Sequence, residues 1–295
     1  MPELPDVTVY VEALRSRIAG QVLRSVKIAS PFILRSVDPP ISAAAGRTVT
    51  AIDRLGKRIV IGLEGDLWIV IHLMIAGRFR WLAPDKKPPG KLGLAGFIFD
   101  GGALWLTEAG TKRRASLHLV AGRDSVVQFA RGGLEPLEMS REQFEARLRS
   151  ENHTLKRSLT DPRLFSGIGN SYSDEILHRA RLSPLTLTSR LDAEGATRLY
   201  DAIREVLIEW TDCLRAEAGE KFPEKVTAFR EGMAVHGRFG KPCPGCGTPV
   251  QRIRYAENET NYCARCQTGG RLLADRAMSR LLKDDWPRNI DELEL

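Results

Sequence analysis

Residues 243–266 read "CPGCGTPVQRIRYAENETNYCARC". Two C-x2-C knuckles, Cys243/Cys246 and Cys263/Cys266, are separated by 16 residues. Knuckles at that spacing arrange four thiolates tetrahedrally around one ion, and Zn2+ is the default occupant. All four positions are cysteine, so no coordination place stays open for water, and the zinc is expected to be structural. The segment between the knuckles reads as two short strands, which makes the element a β-hairpin zinc ribbon. Arg252 and Arg254 flank Ile253 and should share one face of the hairpin. That face suits phosphate, and it equally suits bulk solvent.

The rest of the chain must hold this small module. With 295 residues, the length suggests about two domains. Hydrophobic residues make up 43 % and charged ones 27 %, an ordinary balance for a folded core. Lys plus Arg number 44 against 37 Asp plus Glu, a net charge of +7. Such a balance fits a polyanionic partner (DNA, RNA or an anionic membrane surface) or plain solubility. The first residues lack the apolar core of a signal peptide. The longest apolar run, "LWIVIHLMIAG" at 67–77, is interrupted by His72 and is too short to span a bilayer. A cytoplasmic location is therefore expected, where cysteines stay reduced and bind metal. Cys213, the fifth cysteine, stands alone in a helical stretch.

Hydrophobic period divides the chain. Residues 1–19 read as a helix with Pro5 near its start and Gly20 behind it. From 21 to 121 come short β-branched runs, among them "QVLRSVKIA", "RIVIGL" and "ALWLTEA", separated by turn signals such as "DKKPPG" and "DGG". They predict an antiparallel sandwich or barrel. From about 138 the pattern becomes helical. Ser140 and Gln143 form a capping box before "FEARL". A long helix is predicted over roughly 192–217, and a shorter one around "LLADRAMSRLL" in the tail. Between helical stretches lies "GIGN" at 167–170. A small-residue turn opening a helix offers backbone N–H groups to a phosphate, and it also serves as an ordinary corner between helices.

The chain begins "MPELPDV", with a rigid imino acid and a carboxylate directly after the initiator methionine. In order, "PELPDV", the Gly56-Lys57 pair, "GIGNSYSDE" and the two cysteine knuckles resemble the formamidopyrimidine-DNA glycosylase and endonuclease VIII family of base-excision repair enzymes. The resemblance spans about residues 2–267. It implies an α+β multidomain fold: an N-terminal helix plus antiparallel β-sandwich, a helix–two-turn–helix domain and a C-terminal β-hairpin zinc ribbon. The implied boundaries are 1–130, 138–235 and 236–267, with a tail at 268–295.

The resemblance also implies roles. Pro2, freed of Met1, would be the nucleophile, Glu3 the acid/base and Lys57 a strand lysine supplying positive charge. His72, Lys156 and Asn170 would contact DNA, with Arg252 and Arg254 as further candidates. The implied activity is a bifunctional DNA glycosylase and abasic-site lyase, with one structural zinc. The partner is double-stranded DNA carrying damaged bases or abasic sites, bound by a monomer. A catalytically inactive binder of the same DNA is the alternative.

Three positions depart from the family pattern. Where members usually carry a methionine after the strand histidine, this chain has Ile75, with Met74 beside it; alternation along a strand favours Ile75 as the wedge filling the flipped base's place. The loop "TEAGTKRRASL" lacks the family's phenylalanine, and Arg113 and Arg114 are displaced. Asn258 stands where many members have a zinc-finger arginine, a weaker phosphate clamp that predicts β-elimination with little δ-elimination.

Overall fold

The computed structural model describes residues 1–293 apart from 85, 111, 225, 256 and 257, and omits the side chains of 276–278 and 284. The chain divides into two compact units, one of residues 1–131 and 210–227, the other of residues 132–209 and 228–295.

The first unit opens with α1 (Leu4–Ile18), whose first turn contains Pro5 and whose N-cap is Glu3. Proline is tolerated there because its missing N–H would have no helical partner. Among the described residues nine strands follow: β1 (Val22–Leu23), β2 (Ser25–Ile28), β3 (Arg47–Leu55), β4 (Arg58–Leu63), β5 (Leu67–His72), β6 (Gly77–Leu82), β7 (Gly93–Phe99), β8 (Gly102–Glu108) and β9 (Ser116–Ala121). They form two antiparallel sheets, ordered β1-β3-β4-β5-β9 and β2-β7-β8-β6. Of the two architectures open from the sequence, the sandwich is the one observed.

Alternation explains the core. Ile59, Ile61, Ile69, Ile71, Leu117 and Leu119 face inward, toward Phe79, Phe97, Leu104 and Leu106 of the other sheet and Tyr10 and Leu14 of α1. The intervening residues Val60, Trp68, Val70 and Val120 are buried too, beneath Val126 of α2 (Arg123–Val127). Covering on both faces is why β4 and β5 read as continuous apolar runs.

In the second unit, α3 (Arg141–Arg149) begins with the expected box. Ser140 Oγ accepts the Gln143 N–H at 3.2 Å, and Gln143 Oε1 accepts the Ser140 N–H at 2.8 Å. Then come α4 (Leu155–Thr160), α5 (Asn170–Arg179) and α6 (Ala193–Ala218), whose last turns are counted with the first unit. The ribbon comprises β10 (Gln251–Tyr255), β11 (Asn258–Tyr262) and α7 (Ala264–Thr268), followed by α8 (Arg276–Leu282).

The tail packs on the ribbon through residues flanking α8. Leu272, Leu273 and Ile290 cluster with Ile253, Tyr262 and Ala264. The Leu273 N–H donates to Tyr262 Oη at 2.8 Å, and Asp275 accepts the Arg254 N–H at 3.0 Å. Leu281 of α8 itself is 74 % exposed. Among the described residues, no helix is long and apolar enough to cross a membrane.

Candidate nucleic-acid interface and zinc ribbon

In the first unit the chain start is buried. Pro2 is buried and Glu3 is 2 % exposed. The Glu3 N–H donates to Asp6 Oδ2 at 2.9 Å, which fixes the first turn of α1. Burial holds the N-terminal amine below its ordinary value; Glu3 opposes the shift, and the positive charges of Arg78 and Lys57 reinforce it.

Two site residues sit in turns where strands were expected. Lys57 belongs to the two-residue loop joining β3 to β4, where Gly56 takes φ 59°, a value glycine adopts without strain. Ile75 does not continue β5, which ends at His72. A tight turn follows, closed by the Gly77 N–H donating to the Leu73 carbonyl at 2.9 Å; a Cβ on Gly77 would lie 2.2 Å from that oxygen. Met74 takes φ 52° in this turn, and Ile75 is 55 % exposed. The alternation argument for Ile75 therefore fails, although the side chain is still presented outward.

His72 closes β5, opposite Arg58 on one side and Ser116 on the other. Burial, followed by the charges of Arg58, Lys57 and Arg131, pushes its imidazole down to about 4, so it is neutral at physiological pH. In the 109–115 loop, buried Glu108 accepts the N–H groups of Arg114 at 3.0 Å and Ala115 at 3.1 Å. Arg113 donates to the Lys91 carbonyl at 2.8 Å, while Arg114 is exposed. Farther along the chain, Phe222 packs on Tyr10 and Trp81, and Arg78 Nε donates to the Val226 carbonyl.

In the second unit, Gly167, at φ 79°, and Gly169 lead into α5, whose N-terminus has no side-chain cap. Asn170 is the first helical residue, and its Nδ2 donates to the Glu259 carbonyl of β11 at 2.9 Å. Lys156, the lysine that the resemblance makes a phosphate ligand, is held against the start of α5. Its ammonium donates to the Asn170 carbonyl at 2.7 Å and to Asp174 Oδ1 at 2.5 Å, and its side chain is 12 % exposed.

Sequence reasoning missed Asp174, Glu175 and His236. Asp174 Oδ2 pairs with His236 Nδ1 at 2.7 Å and accepts the Asn261 N–H at 3.2 Å. Glu175 accepts three consecutive N–H groups, from Ala234 at 2.7 Å, Val235 at 3.0 Å and His236 at 2.8 Å. Burial raises the Glu175 carboxyl, and those bonds oppose the rise. Two acids adjacent on a largely buried helix were the available signal.

The four cysteine sulfurs, Cys243, Cys246, Cys263 and Cys266, lie within 4.8 Å of one another. The pairs Cys243–Cys266 and Cys246–Cys263 are 3.9 and 3.4 Å apart. A Zn–S length of about 2.3 Å in a tetrahedron requires roughly 3.8 Å between sulfurs, so the donor set fits one structural zinc. His178, on the last turn of α5, places Nε2 3.3 Å from Cys243 Sγ. Burial lowers its imidazole, helped by Arg179 and Arg181, so it is a neutral ring with one N–H to donate toward the thiolate. On the hairpin, Arg252 stacks 4.0 Å above Phe239 and lies 3.5 Å from Glu259. Arg254 and Asn258 are exposed.

Comparison with known proteins agrees with this layout. The formamidopyrimidine-DNA glycosylase N-terminal domain matches residues 1–115, its H2TH domain residues 133–214, and a zinc finger found in FPG and IleRS residues 240–269. The formamidopyrimidine-DNA glycosylase of Thermus thermophilus is 36 % identical, over 92 % of this chain and all of the relative. The chain belongs to the formamidopyrimidine-DNA glycosylase family. The homologous enzyme of Heliobacterium modesticaldum is 34 % identical over 90 % of the chain and all of the relative. Among solved structures, Lactococcus lactis Fpg in complex with abasic-site DNA superposes with a TM-score of 0.80 at 26 % identity, covering 90 % of this chain and 99 % of that one. The Fpg (MutM) protein of Thermus thermophilus gives 0.74 at 34 % identity, covering 90 % and 98 %.

Proposed function

We propose that Pro2, once Met1 is removed, is the nucleophile through which this chain acts on DNA. The enzyme class is that of its family: a DNA glycosylase and abasic-site lyase of base excision repair. Its partner is duplex DNA containing damaged bases or abasic sites. Lactococcus Fpg has been solved with DNA containing Fapy-dG and with DNA containing an oxidised pyrimidine. Both lesion classes are accordingly candidate substrates, oxidised purine first. The alternative of an inactive binder is not favoured, since the named relatives are enzymes.

The buried chain start carries the reading. The amine at that end already lies below its ordinary value, and Pro2, one residue further in, is buried beside Glu3. An α-amine is ordinarily near 7.7–8.0, and burial favours its neutral, nucleophilic form over the charged one. The amine attacks C1′, and the base leaves with the C1′–N bonding pair and takes up the proton that the proline nitrogen sheds. The C1′–O4′ bond then opens, Glu3 delivers a proton to O4′, and an iminium forms between C1′ and the proline nitrogen. Loss of a C2′ proton into that electron sink expels the 3′ phosphate from C3′. Water hydrolyses the iminium and restores the amine.

The remaining residues bind and position. Lys57 brings positive charge to the phosphates. His72, as a neutral ring, donates one hydrogen bond. Ile75 fills the space of the flipped base. Asn170 at the start of α5 receives a phosphate, Lys156 holds the Asn170 turn and adds its positive charge there, and Arg252 and Arg254 offer their face of the hairpin. With Asn258 at the hairpin tip, β-elimination products dominate over δ-elimination products. We assign residues 1–130 to catalysis, 138–235 to helical DNA binding and 236–267 to the zinc finger, in a monomer associated with the nucleoid in the cytoplasm.

Borohydride trapping with an abasic duplex tests the nucleophile. Protein whose intact mass shows Met1 removed gives a covalent adduct, and Glu3→Gln slows base release by about 10²–10⁴-fold. An adduct of equal yield from protein that fully retains Met1 overturns the assignment of Pro2.

A further inference from the structure

Around His72 in the first unit stand four side chains with no place in the chemistry above, Arg35, Arg58, His118 and Arg131. They lie on the outer face of the five-stranded sheet. Strand register puts Arg58 directly opposite His72, and His118 opposite Val70 on the next strand, diagonal to His72. Residues 34–36 run beside β9: Leu34 bridges Leu117, the Arg35 N–H donates to the Leu117 carbonyl at 2.8 Å, and Ser36 Oγ accepts the Leu119 N–H at 2.8 Å. Arg35, His118, His72 and Arg58 thus stand in a row across adjacent strands. Phe129 packs edge-on against His118, ring centroids 4.7 Å apart, which brings the segment ending at Arg131 to this row, and the Arg131 charge acts on both Arg58 and His72.

Every charge acting on this row, among the described residues, is positive. Arg58 is held below its ordinary value by burial and by Arg131; His118 is lowered by burial, then by Arg58 and Arg35. Lys57 acts on both His72 and the N-terminal amine, so the positive track begins at the reacting end of the unit. Arg58 is partly buried, yet its guanidinium makes no hydrogen bond or ion pair with any described residue, and neither do those of Arg35 and Arg131. Half-buried guanidinium groups ordinarily have acceptors, and like charges gathered without a carboxylate repel. An anion that arrives only with a ligand resolves both costs. The planar fork of arginine suits the paired oxygens of a phosphodiester.

We propose that Arg58 and Arg131 form a phosphate-binding subsite, gripping a backbone phosphate of the DNA beyond the nucleotide that reacts. The proposal rests on the reading of the chain as a DNA enzyme whose reacting end is Pro2. It extends the footprint outward from Lys57 and His72 along the sheet, with Arg35 at the far end.

Salt dependence of binding, read by fluorescence anisotropy on a duplex holding a stable abasic analogue, tests it. Each phosphate contact contributes about −0.9 to the log–log slope. Arg58→Gln and Arg131→Gln each flatten the slope by roughly one such unit and weaken binding about three- to ten-fold near 0.1 M salt, while Arg58→Lys retains most of the slope. The loss appears in Kd, not in the single-turnover trapping rate at saturating DNA. Replacing successive phosphates by neutral methylphosphonates identifies the contact: at one linkage the Arg58→Gln effect disappears, as only a direct contact allows. Arg131 is exposed, so Arg131→Gln keeps the test open if Arg58→Gln fails to fold. Slopes equal to wild type in folded variants, or losses that no single methylphosphonate cancels, overturn the subsite. Failure of the Pro2 reading is separate, since it shows as absent covalent trapping in the wild-type protein.

Discussion

The outer face of the five-stranded sheet and the α5–ribbon junction both hold charge away from water, and they settle it in opposite ways. At the junction, Asp174 is neutralised by Lys156 and hydrogen-bonded to His236 and Asn261, and Glu175 is capped by three backbone N–H groups. On the sheet, Arg58 meets only positive or neutral neighbours among the described residues. Charge answered from within the chain holds the fold together. Charge left unanswered marks where something outside the chain must come.

The contrast is open to direct attack. Asp174→Ala leaves Lys156 uncompensated in a nearly closed site, and removing one partner of such a pair costs about 3–5 kcal/mol. Chemical denaturation checks it; a loss under about 1 kcal/mol would place Asp174 with ordinary surface acids. His178→Phe keeps the volume near Cys243 but removes the N–H, and zinc affinity falls about 10–100-fold in competition with a chromophoric chelator. An unchanged affinity would show that the thiolate draws nothing from the ring.

Acid acts on the sheet face. The imidazole of His72 titrates near 4 when folded and near 6.5 when unfolded, so the unfolded chain binds more protons between those values. Stability therefore rises with pH from about 4 to 6.5 and is flat above, a span of about 1–2 kcal/mol once solvent screening is allowed for. His72→Gln should lose that slope; denaturation midpoints at pH 5 and pH 7 compare the two. The smallest change is expected for Arg58→Gln without DNA. It relieves repulsion and shifts stability by less than about 1 kcal/mol, in the stabilising direction. If it destabilised as much as Asp174→Ala, the contrast between the two regions would be gone.

What was legible in the sequence follows the range over which each signal acts. The zinc knuckles, the Ser140 box and the strand runs depend on neighbours a few residues away, and the structure keeps them. Sandwich or barrel depended on which strands pair, and β2 pairing with β7 lies outside any local window. Ile75 was argued from a strand that stops at His72, because the turn closed by Gly77 overrides the period. The pairing of Lys156 was not legible because its partner Asp174 lies in the next helix, outside any local pattern. The packing of the tail rests on Leu272, Leu273 and Ile290, which flank the helix that drew attention.

The first unit is discontinuous: residues 1–131 share their core with residues 210–227. Val226 belongs to the same apolar cluster as Tyr10 and Phe79, and Phe222 packs against it. During synthesis, then, the end of the chain that carries Pro2 is made first and enclosed late. The ribosome must add the whole helical segment before the sandwich can close around α1. A fragment ending at residue 131 would expose the apolar surface that Phe222 and Val226 cover, and would be sticky before it could be catalytic.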